Sequence, residues 1–111
     1  DRILADVPCS ASGVARRHPD LKWLRRPSDI PAFAARQHDI LDALWRVLAP
    51  GGKLLYVTCS VFARENDEVI DAFVSRAPGA AVAALPDGAS AHMLPDAEHD
   101  GFYYALLQKQ A

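Results

Sequence analysis

The sequence predicts an α/β fold: half of a doubly wound sheet, mostly parallel, with an antiparallel last strand. Short apolar runs alternate with stretches of helical periodicity, in the order strand, helix, strand, helix, strand. Strands that are joined through helices lie parallel, with right-handed crossovers. The last strand follows a segment without helical periodicity, and this favours antiparallel pairing.

The first half of the chain contains one strand, one long loop and one long helix. The strand covers Ile3 to Asp6, and the loop over residues 7–28 is rich in Ser, Pro, Gly and Arg. Loops of this length are usually functional or carry a short helix. Ser28 or Asp29 then offers an N-cap, with Pro31 in the first turn. The helix runs to about residue 48, and its buried stripe recurs at three- and four-residue steps: Phe33, Gln37, Ile40, Leu41, Leu44, Val47 and Leu48.

The middle of the chain contains the second strand and the second helix. Pro50-Gly51-Gly52 ends the first helix, and Lys53 to Thr58 forms the strand. The second helix covers about Arg64 to Arg76, with an inward stripe of Val69, Ile70, Phe73, Val74 and Ala77. Its first turns carry acidic residues, which the helix dipole favours there: Glu65, Asp67 and Glu68.

The last third of the chain returns to strands. Pro78-Gly79 ends the second helix, and Ala80 to Leu85 forms a third strand. Pro86 to Asp100 has the composition of a loop, and Phe102 to Gln108 alternates as a final strand. Trp45, near the end of the long helix, is expected in the core.

Length and composition limit the chain to one globular domain at most, since it has 111 residues, half of them hydrophobic. No run approaches the roughly 20 apolar residues of a membrane span, so we expect no membrane partner. The chain begins Asp1-Arg2 without an initiator methionine, and a strand follows at once. We therefore expect a fragment of a longer protein, and the open edge of its first strand leaves room for self-association.

The two cysteines and four histidines do not form a metal-ligand pattern. Cys9 and Cys59 are far apart in the chain, and the histidines lack ligand-like spacing: His18, His38, His92 and His99. We expect no metal site. Two free thiols in a chain without a disulfide framework are typical of a reducing cytoplasm.

Each cysteine follows a short apolar run that reads as a buried parallel strand. Cys9 lies in Asp6-Val7-Pro8-Cys9-Ser10, and Cys59 in Thr58-Cys59-Ser60. Both thiols are therefore expected just past the carboxyl end of a strand, the edge at which open α/β sheets bind ligands. The alternative is a pair of inert core cysteines, because a free cysteine behaves as a small hydrophobic residue.

A basic segment stands out in a chain whose net charge is −2. Residues 16–26 contain one acidic residue, Asp20, and an aromatic residue, Trp23. The same segment contains five basic residues: Arg16, Arg17, Lys22, Arg25 and Arg26. Such a cluster can hold phosphates without making the whole protein basic. These five are the candidates for contact with a nucleic acid backbone, and Trp23 for stacking or packing. The alternative is a solvated charged loop.

Four motifs occur here in the order of one family: Asp6-Val7-Pro8-Cys9-Ser10, Leu48-Ala49-Pro50-Gly51-Gly52, Thr58-Cys59-Ser60 and Asp100-Gly101-Phe102-Tyr103. Essentially the whole chain resembles the RNA 5-methylcytosine methyltransferases of the NOL/NOP/Sun group, which use S-adenosylmethionine. Residues 13–26 are most similar to the bacterial Sun-type (RsmB-like) branch, which modifies small-subunit ribosomal RNA. The resemblance implies the C-terminal portion, over residues 1–111, of a Rossmann-like catalytic domain in a cytoplasmic enzyme.

The resemblance also implies roles for three residues. Cytosine C5 is a poor nucleophile, so a thiolate must first add at C6, and a thiol is suited to this because its pKa is readily lowered. Cys59 is implied as this nucleophile, and Cys9 as the helper for release of the product. Asp6 is implied to lie beside the cofactor and the target base, although an aspartate there could also cap a turn. Spacing alone does not decide which thiol attacks.

The cofactor half of such a fold has no counterpart in the sequence. A glycine-rich strand-to-helix turn and an acidic residue for the ribose are expected upstream of Asp1. The 111 residues alone are therefore expected to bind S-adenosylmethionine negligibly and to be inactive. Two alternatives stay open: a non-catalytic RNA-binding module, and a methyltransferase of another substrate class, which would have no use for Cys59.

Overall fold

The computed structural model describes residues 2–10, 29–60, 62–85, 92–93 and 101–110, and in these ranges five strands form one mixed sheet. The strands are β1 (Arg2–Asp6), β2 (Lys53–Thr58), β3 (Ala80–Ala83), β4 (His92–Met93) and β5 (Phe102–Lys109). Two α-helices, α1 (Asp29–Val47) and α2 (Asp67–Arg76), and a short 3-10 helix (Ala63–Glu65) complete the described elements.

Strands β1 and β2 lie parallel, as the sequence predicted. Ile3 is opposite Leu54, and Asp6 is opposite Val57. The pairing continues one residue further, because the Val7 amide donates to the Val57 carbonyl at 3.2 Å. The carboxyl ends of the two strands therefore meet at the same edge of the sheet, and the loop after each strand begins there.

The final strand is antiparallel, as predicted, and it lies between β2 and β3. The order across the sheet is β1, β2, β5, β3, with Tyr56 opposite Ala105 and Val82 opposite Leu107. Strand β3 therefore pairs with β5 and not with β2. The long alternating β5 fills the central position, with Tyr103, Ala105 and Leu107 buried on one face, and the short β3 takes the edge.

Several boundaries differ from those predicted. A predicted loop contains β4, in which His92 pairs with Tyr103 and Met93 with Phe102. Residues 86–91 and 94–100 of that loop lie outside the described residues. The second helix is in two parts, because the chain turns at Asn66 between the 3-10 helix and α2. Strand β3 ends two residues earlier than predicted, and β5 extends to Lys109.

Both helices pack on the same face of the sheet. Trp45 of α1 meets Phe73 of α2 edge to face, with 5.2 Å between ring centroids, so Trp45 is a core residue as expected. The predicted stripe of α2 is buried or packed against the core. Most of the predicted stripe of α1 is buried or packed against the core, whereas Phe33 is only partly buried and Val47 is 75% exposed.

The predicted stop after α1 is a glycine turn that also ties the helix to the sheet. Gly51 has φ of +84°, a conformation that favours glycine, and its amide donates to the Lys109 carbonyl at 2.8 Å. The Lys109 ammonium donates to the carbonyls of Trp45 and Leu48, both at 2.8 Å. A cation is favourable at this end of a helix. The turn thus fixes where β2 begins and, six residues later, where Cys59 lies.

Within the described ranges, no helix combines the length and the apolar character that crossing a lipid bilayer requires.

Candidate active site

The two cysteines meet at the carboxyl edge of β1 and β2. The distance between Cys9 Sγ and Cys59 Sγ is 3.4 Å, which is within hydrogen-bond range for sulfur. The two residues belong to different loops, and their convergence follows from the parallel pairing of the strands that precede them. The expectation that both thiols lie just past the carboxyl ends of parallel strands is therefore confirmed, while their roles stay predictions.

The two thiols differ in accessibility. Cys9 is buried, with 8% of its surface exposed, whereas Cys59 is partly exposed. Cys59 is therefore the more accessible of the two cysteines. Pro8 restricts the backbone between Asp6 and Cys9.

The contact between the sulfurs favours a thiolate at Cys59. A hydrogen bond from Cys9 lowers the pKa of Cys59 to about 7, although burial and the carboxylates of Asp6 and Glu65 act to raise this pKa. When Cys59 is ionised, the donor in the contact must be the Cys9 thiol. A cysteine with this pKa is about half ionised at neutral pH, and the thiolate is the nucleophilic form.

Asp6 is the last residue of β1, and its side chain is exposed at the same edge of the sheet. The Asp6 carboxylate is close enough to Cys59 for its negative charge to raise the pKa of the thiol. An exposed carboxylate beside a thiolate can accept hydrogen bonds from a bound molecule or hold a positive charge. All three predicted catalytic residues therefore lie at one edge.

Glu65 is a residue of the site whose function sequence reasoning missed. The sequence predicts it as a solvated charge at a helix start, whereas the structure buries it fully, with 0% exposure, and turns it toward the Cys9 loop. Its Oε1 accepts from the Ser10 amide at 2.7 Å, and its Oε2 accepts from the Ser10 hydroxyl at 2.8 Å. Asp67 and Glu68, in contrast, are exposed in the first turn of α2.

Asn66 binds the Cys59 loop in the same way. Its Oδ1 accepts from the Thr58 hydroxyl at 2.6 Å, and its Nδ2 donates to the Ser60 carbonyl at 2.9 Å. These two partners flank Cys59. The sequence could have indicated that Glu65 and Asn66 are buried. They lie four residues before Val69 and Ile70, and residues four apart lie on the same face of a helix.

Gln37 of α1 holds the Cys9 loop from the opposite side. It is fully buried, and its Nε2 donates to the Pro8 carbonyl at 2.8 Å. The sequence placed Gln37 in the apolar stripe of the helix, and this hydrogen bond explains why a polar side chain belongs there. The residues on both sides of Cys9 are therefore fixed by side chains of other elements.

Other predicted features fall outside the site or outside the described residues. The candidate RNA-binding residues Arg16, Arg17, Lys22, Arg25 and Arg26, together with Trp23, lie outside the described residues. Among the described residues, no group of His, Cys, Asp and Glu side chains could hold a metal ion. A cavity of about 450 Å³ lies between α2, β3 and β5, and it does not include either cysteine.

The closeness of the sulfurs predicts an internal disulfide under mild oxidation. From 3.4 Å the sulfurs need to approach by little more than an ångström to reach the bond length of about 2.0 Å. Diamide, which takes up the two thiol hydrogens, should therefore link Cys9 to Cys59, as seen by peptide mapping without reductant. Cys59→Ser should give no internal link. Separate, unlinked thiols in the wild type after diamide treatment would contradict the described geometry.

The chain matches the family model described as 16S rRNA methyltransferase RsmB/F over residues 1–108. A curated relative, ribosomal RNA small subunit methyltransferase B of Vibrio vulnificus, is 54% identical over 113 aligned residues. That alignment covers 100% of this chain and 26% of the relative, so the chain spans about a quarter of the length of the curated relatives it matches.

Two solved structures share this fold. The crystal structure of PH0851 is 33% identical, with a TM-score of 0.92, and the match covers 98% of this chain and 26% of that one. NSun6 from Pyrococcus horikoshii, solved with SFG, is 27% identical, with a TM-score of 0.83, and the match covers 98% of this chain and 30% of that one.

Proposed function

The chain belongs to the 16S rRNA methyltransferase RsmB/F family, and on that premise we propose that it forms the base-attacking part of a cytosine methyltransferase. The reaction would transfer a methyl group from S-adenosylmethionine to C5 of a cytosine in small-subunit ribosomal RNA. The observation that carries this proposal is the pair of thiols 3.4 Å apart, one accessible and one buried. An RNA-binding module would use the two cysteines only for packing, and packing does not require a thiolate at Cys59.

The first step is addition of the Cys59 thiolate to C6 of the cytosine. A bond forms between Sγ and C6, and the electron pair of the C5–C6 double bond moves toward C5 and the ring. The lowered pKa of Cys59 supports this role, because a substantial fraction is ionised at neutral pH. The cytosine must leave its stack or be unpaired for the thiolate to reach C6.

Asp6 would orient and activate the base. Its exposed side chain lies at the end of β1, at the edge that carries Cys59. A carboxyl group there can hydrogen-bond to the N3 and N4 edge of cytosine and favour the electron-poor ring that a thiolate attacks. The same negative charge suits a cofactor that carries a positive charge, so Asp6 is also the proposed cofactor contact within this chain.

The last step returns both thiols to their starting state. After C5 has accepted the methyl group, the C5 proton passes to water and its bonding pair restores the C5–C6 double bond. The Sγ–C6 bond breaks, and its electron pair stays on Cys59. The Cys9 thiol, still protonated, donates a hydrogen bond to the departing sulfur and stabilises it. Before and after the reaction, Cys9 is therefore a thiol and Cys59 a thiolate.

S-adenosylmethionine would supply the methyl group as an electrophile. Most of its site is proposed to lie in the remainder of a longer protein, since the chain spans 26% of its relatives. The chain is then the C-terminal portion of the catalytic domain, and its 111 residues alone would not turn over. The structure of NSun6 with SFG, an S-adenosylmethionine analogue, supports this cofactor.

Ribosomal RNA is the proposed partner, and the cytoplasm the proposed compartment. The basic residues between Arg16 and Arg26 would contact its backbone.

A trapping experiment on the intact protein tests this function. With RNA containing 5-fluorocytosine and with S-adenosylmethionine present, wild type should form a covalent adduct that survives a denaturing gel. Fluorine at C5 cannot leave as a proton does, so the thiol cannot be released after methyl transfer. Without S-adenosylmethionine the stable adduct should be absent. No adduct with 5-fluorocytosine RNA in the presence of S-adenosylmethionine, despite folded protein, would contradict the proposal.

A further inference from the structure

We propose that Glu65 is a positioning residue, which holds the Cys9 thiol against the Cys59 sulfur by binding the Ser10 backbone and side chain. The inference rests on the proposed function for its significance in catalysis. Its physical content, a fixed distance between two sulfurs, stands on hydrogen bonds among the described residues.

The backbone of Glu65 is fixed relative to the Cys59 loop. The Tyr56 hydroxyl donates to the Glu65 carbonyl at 2.8 Å, and the next residue, Asn66, binds Thr58 and Ser60 on both sides of Cys59. Burial raises the pKa of Tyr56, so its hydroxyl stays protonated and remains a donor. Glu65 and Cys59 therefore belong to one hydrogen-bonded unit.

The carboxylate of Glu65 then extends this unit to the other loop. Both of its oxygens accept hydrogen bonds from Ser10, the residue that directly follows Cys9. The carboxylate is fully buried, so the two bonds are not in competition with bulk water. Hydrogen bonds to a buried charged group are strong, and removal of one partner leaves the other unsatisfied.

Gln37 binds the residue before Cys9, but it does so from α1, which contributes no hydrogen bond to the Cys59 loop in the described contacts. It can fix the direction of the Cys9 loop. It does not by itself set the gap between the sulfurs. The Ser10 and Ser60 hydroxyls lie 3.4 Å apart, a longer contact that joins the same two loops beside the Glu65 carboxylate.

The test measures the pH midpoint of Cys59 alkylation by iodoacetamide, resolved by peptide mass spectrometry in the intact protein. The described titratable groups that act on Cys59 are Cys9, Asp6 and Glu65. Cys9 lowers the pKa of Cys59, and the Glu65 charge raises it. If Glu65 positions Cys9, its removal should raise the alkylation midpoint of Cys59. If Glu65 acts only through its charge, its removal should lower that midpoint.

Glu65→Ala should raise the midpoint by about one pH unit or more, because Cys9 is no longer held where it can donate to Cys59. Glu65→Gln should stay at or slightly below wild type, because the amide can accept from the Ser10 amide and donate to its hydroxyl while the charge is removed. Glu68→Ala is the matched control, since it removes an exposed glutamate three residues away. It should leave the midpoint unchanged.

A midpoint in Glu65→Ala at or below wild type would overturn the proposal, as would equal rises in Glu65→Ala and Glu65→Gln. If circular dichroism shows Glu65→Ala to be unfolded, Ser10→Ala serves instead, since it removes one of the two bonds. A raised midpoint in Ser10→Ala supports the proposal, and an unchanged one overturns it. The measurement needs neither RNA nor cofactor, so its outcome is independent of the trapping experiment.

Discussion

Cys59→Ser should abolish methyl transfer, with a loss of roughly 10⁴-fold or more in turnover, and should also abolish the covalent adduct with 5-fluorocytosine RNA. The physical reason is the acidity of the side chain at residue 59. The Cys59 thiol is about half ionised at neutral pH because its pKa is about 7. A serine hydroxyl is almost entirely protonated there, and it is a weaker nucleophile toward C6.

The measurement has two parts, the methylation rate with tritiated cofactor and the adduct band on a denaturing gel. RNA binding, measured in parallel, should change little, because Cys59 contributes no charge needed for the phosphate backbone. An undiminished adduct in Cys59→Ser would show that another residue attacks the base. If that residue were Cys9, the two roles proposed for the thiols would be exchanged.

Cys9→Ala should have the opposite effect on the adduct and leave RNA bound covalently to the protein, even with ordinary cytosine. Without the Cys9 thiol, no donor stabilises the Cys59 sulfur as the Sγ–C6 bond breaks. The variant should therefore add to the base and methylate it but release product slowly. Cys9→Ser should behave in the same direction, since a hydroxyl is a much weaker acid than a thiol.

The predicted pH dependence distinguishes this effect from simple damage to the site. Because the Cys9 hydrogen bond is the largest cause of the lowered pKa of Cys59, its loss should raise that pKa. Adduct formation in Cys9→Ala should then be slow at pH 7 and faster as the pH rises through the new pKa. Release should stay slow at every pH. Normal turnover by Cys9→Ala would contradict the proposed role in release.

Sequence patterns were sufficient to predict the two strands that precede the cysteines. Parallel strands expose their carboxyl ends at one edge, so apolar runs ending at Asp6 and Thr58 were enough to bring Cys9 and Cys59 together. The same reasoning could not place β5 between β2 and β3, because strand order depends on which pairings bury more surface across the whole sheet. The two-residue β4 exists only through its pairing with β5, and it has no local signal.

The supporting polar residues were missed for a related reason. An acidic residue near a helix start is ordinarily solvated and favoured by the helix dipole, and Glu65 fits that pattern locally. Its burial follows from a partner 55 residues away, the Ser10 amide and hydroxyl, which local propensity cannot show. Asn66 is similar, since its partners at Thr58 and Ser60 come from the preceding strand and turn.

Glu65 ends the 3-10 helix and Asn66 joins that helix to α2, and each of the two residues is bonded to the loop of a different sulfur. A small shift of this two-residue segment would carry both loops with it in the same direction. The distance between the two sulfurs would then stay the same when this segment moves. Binding of a substrate could then change the surroundings of the two sulfurs without changing the pKa of Cys59.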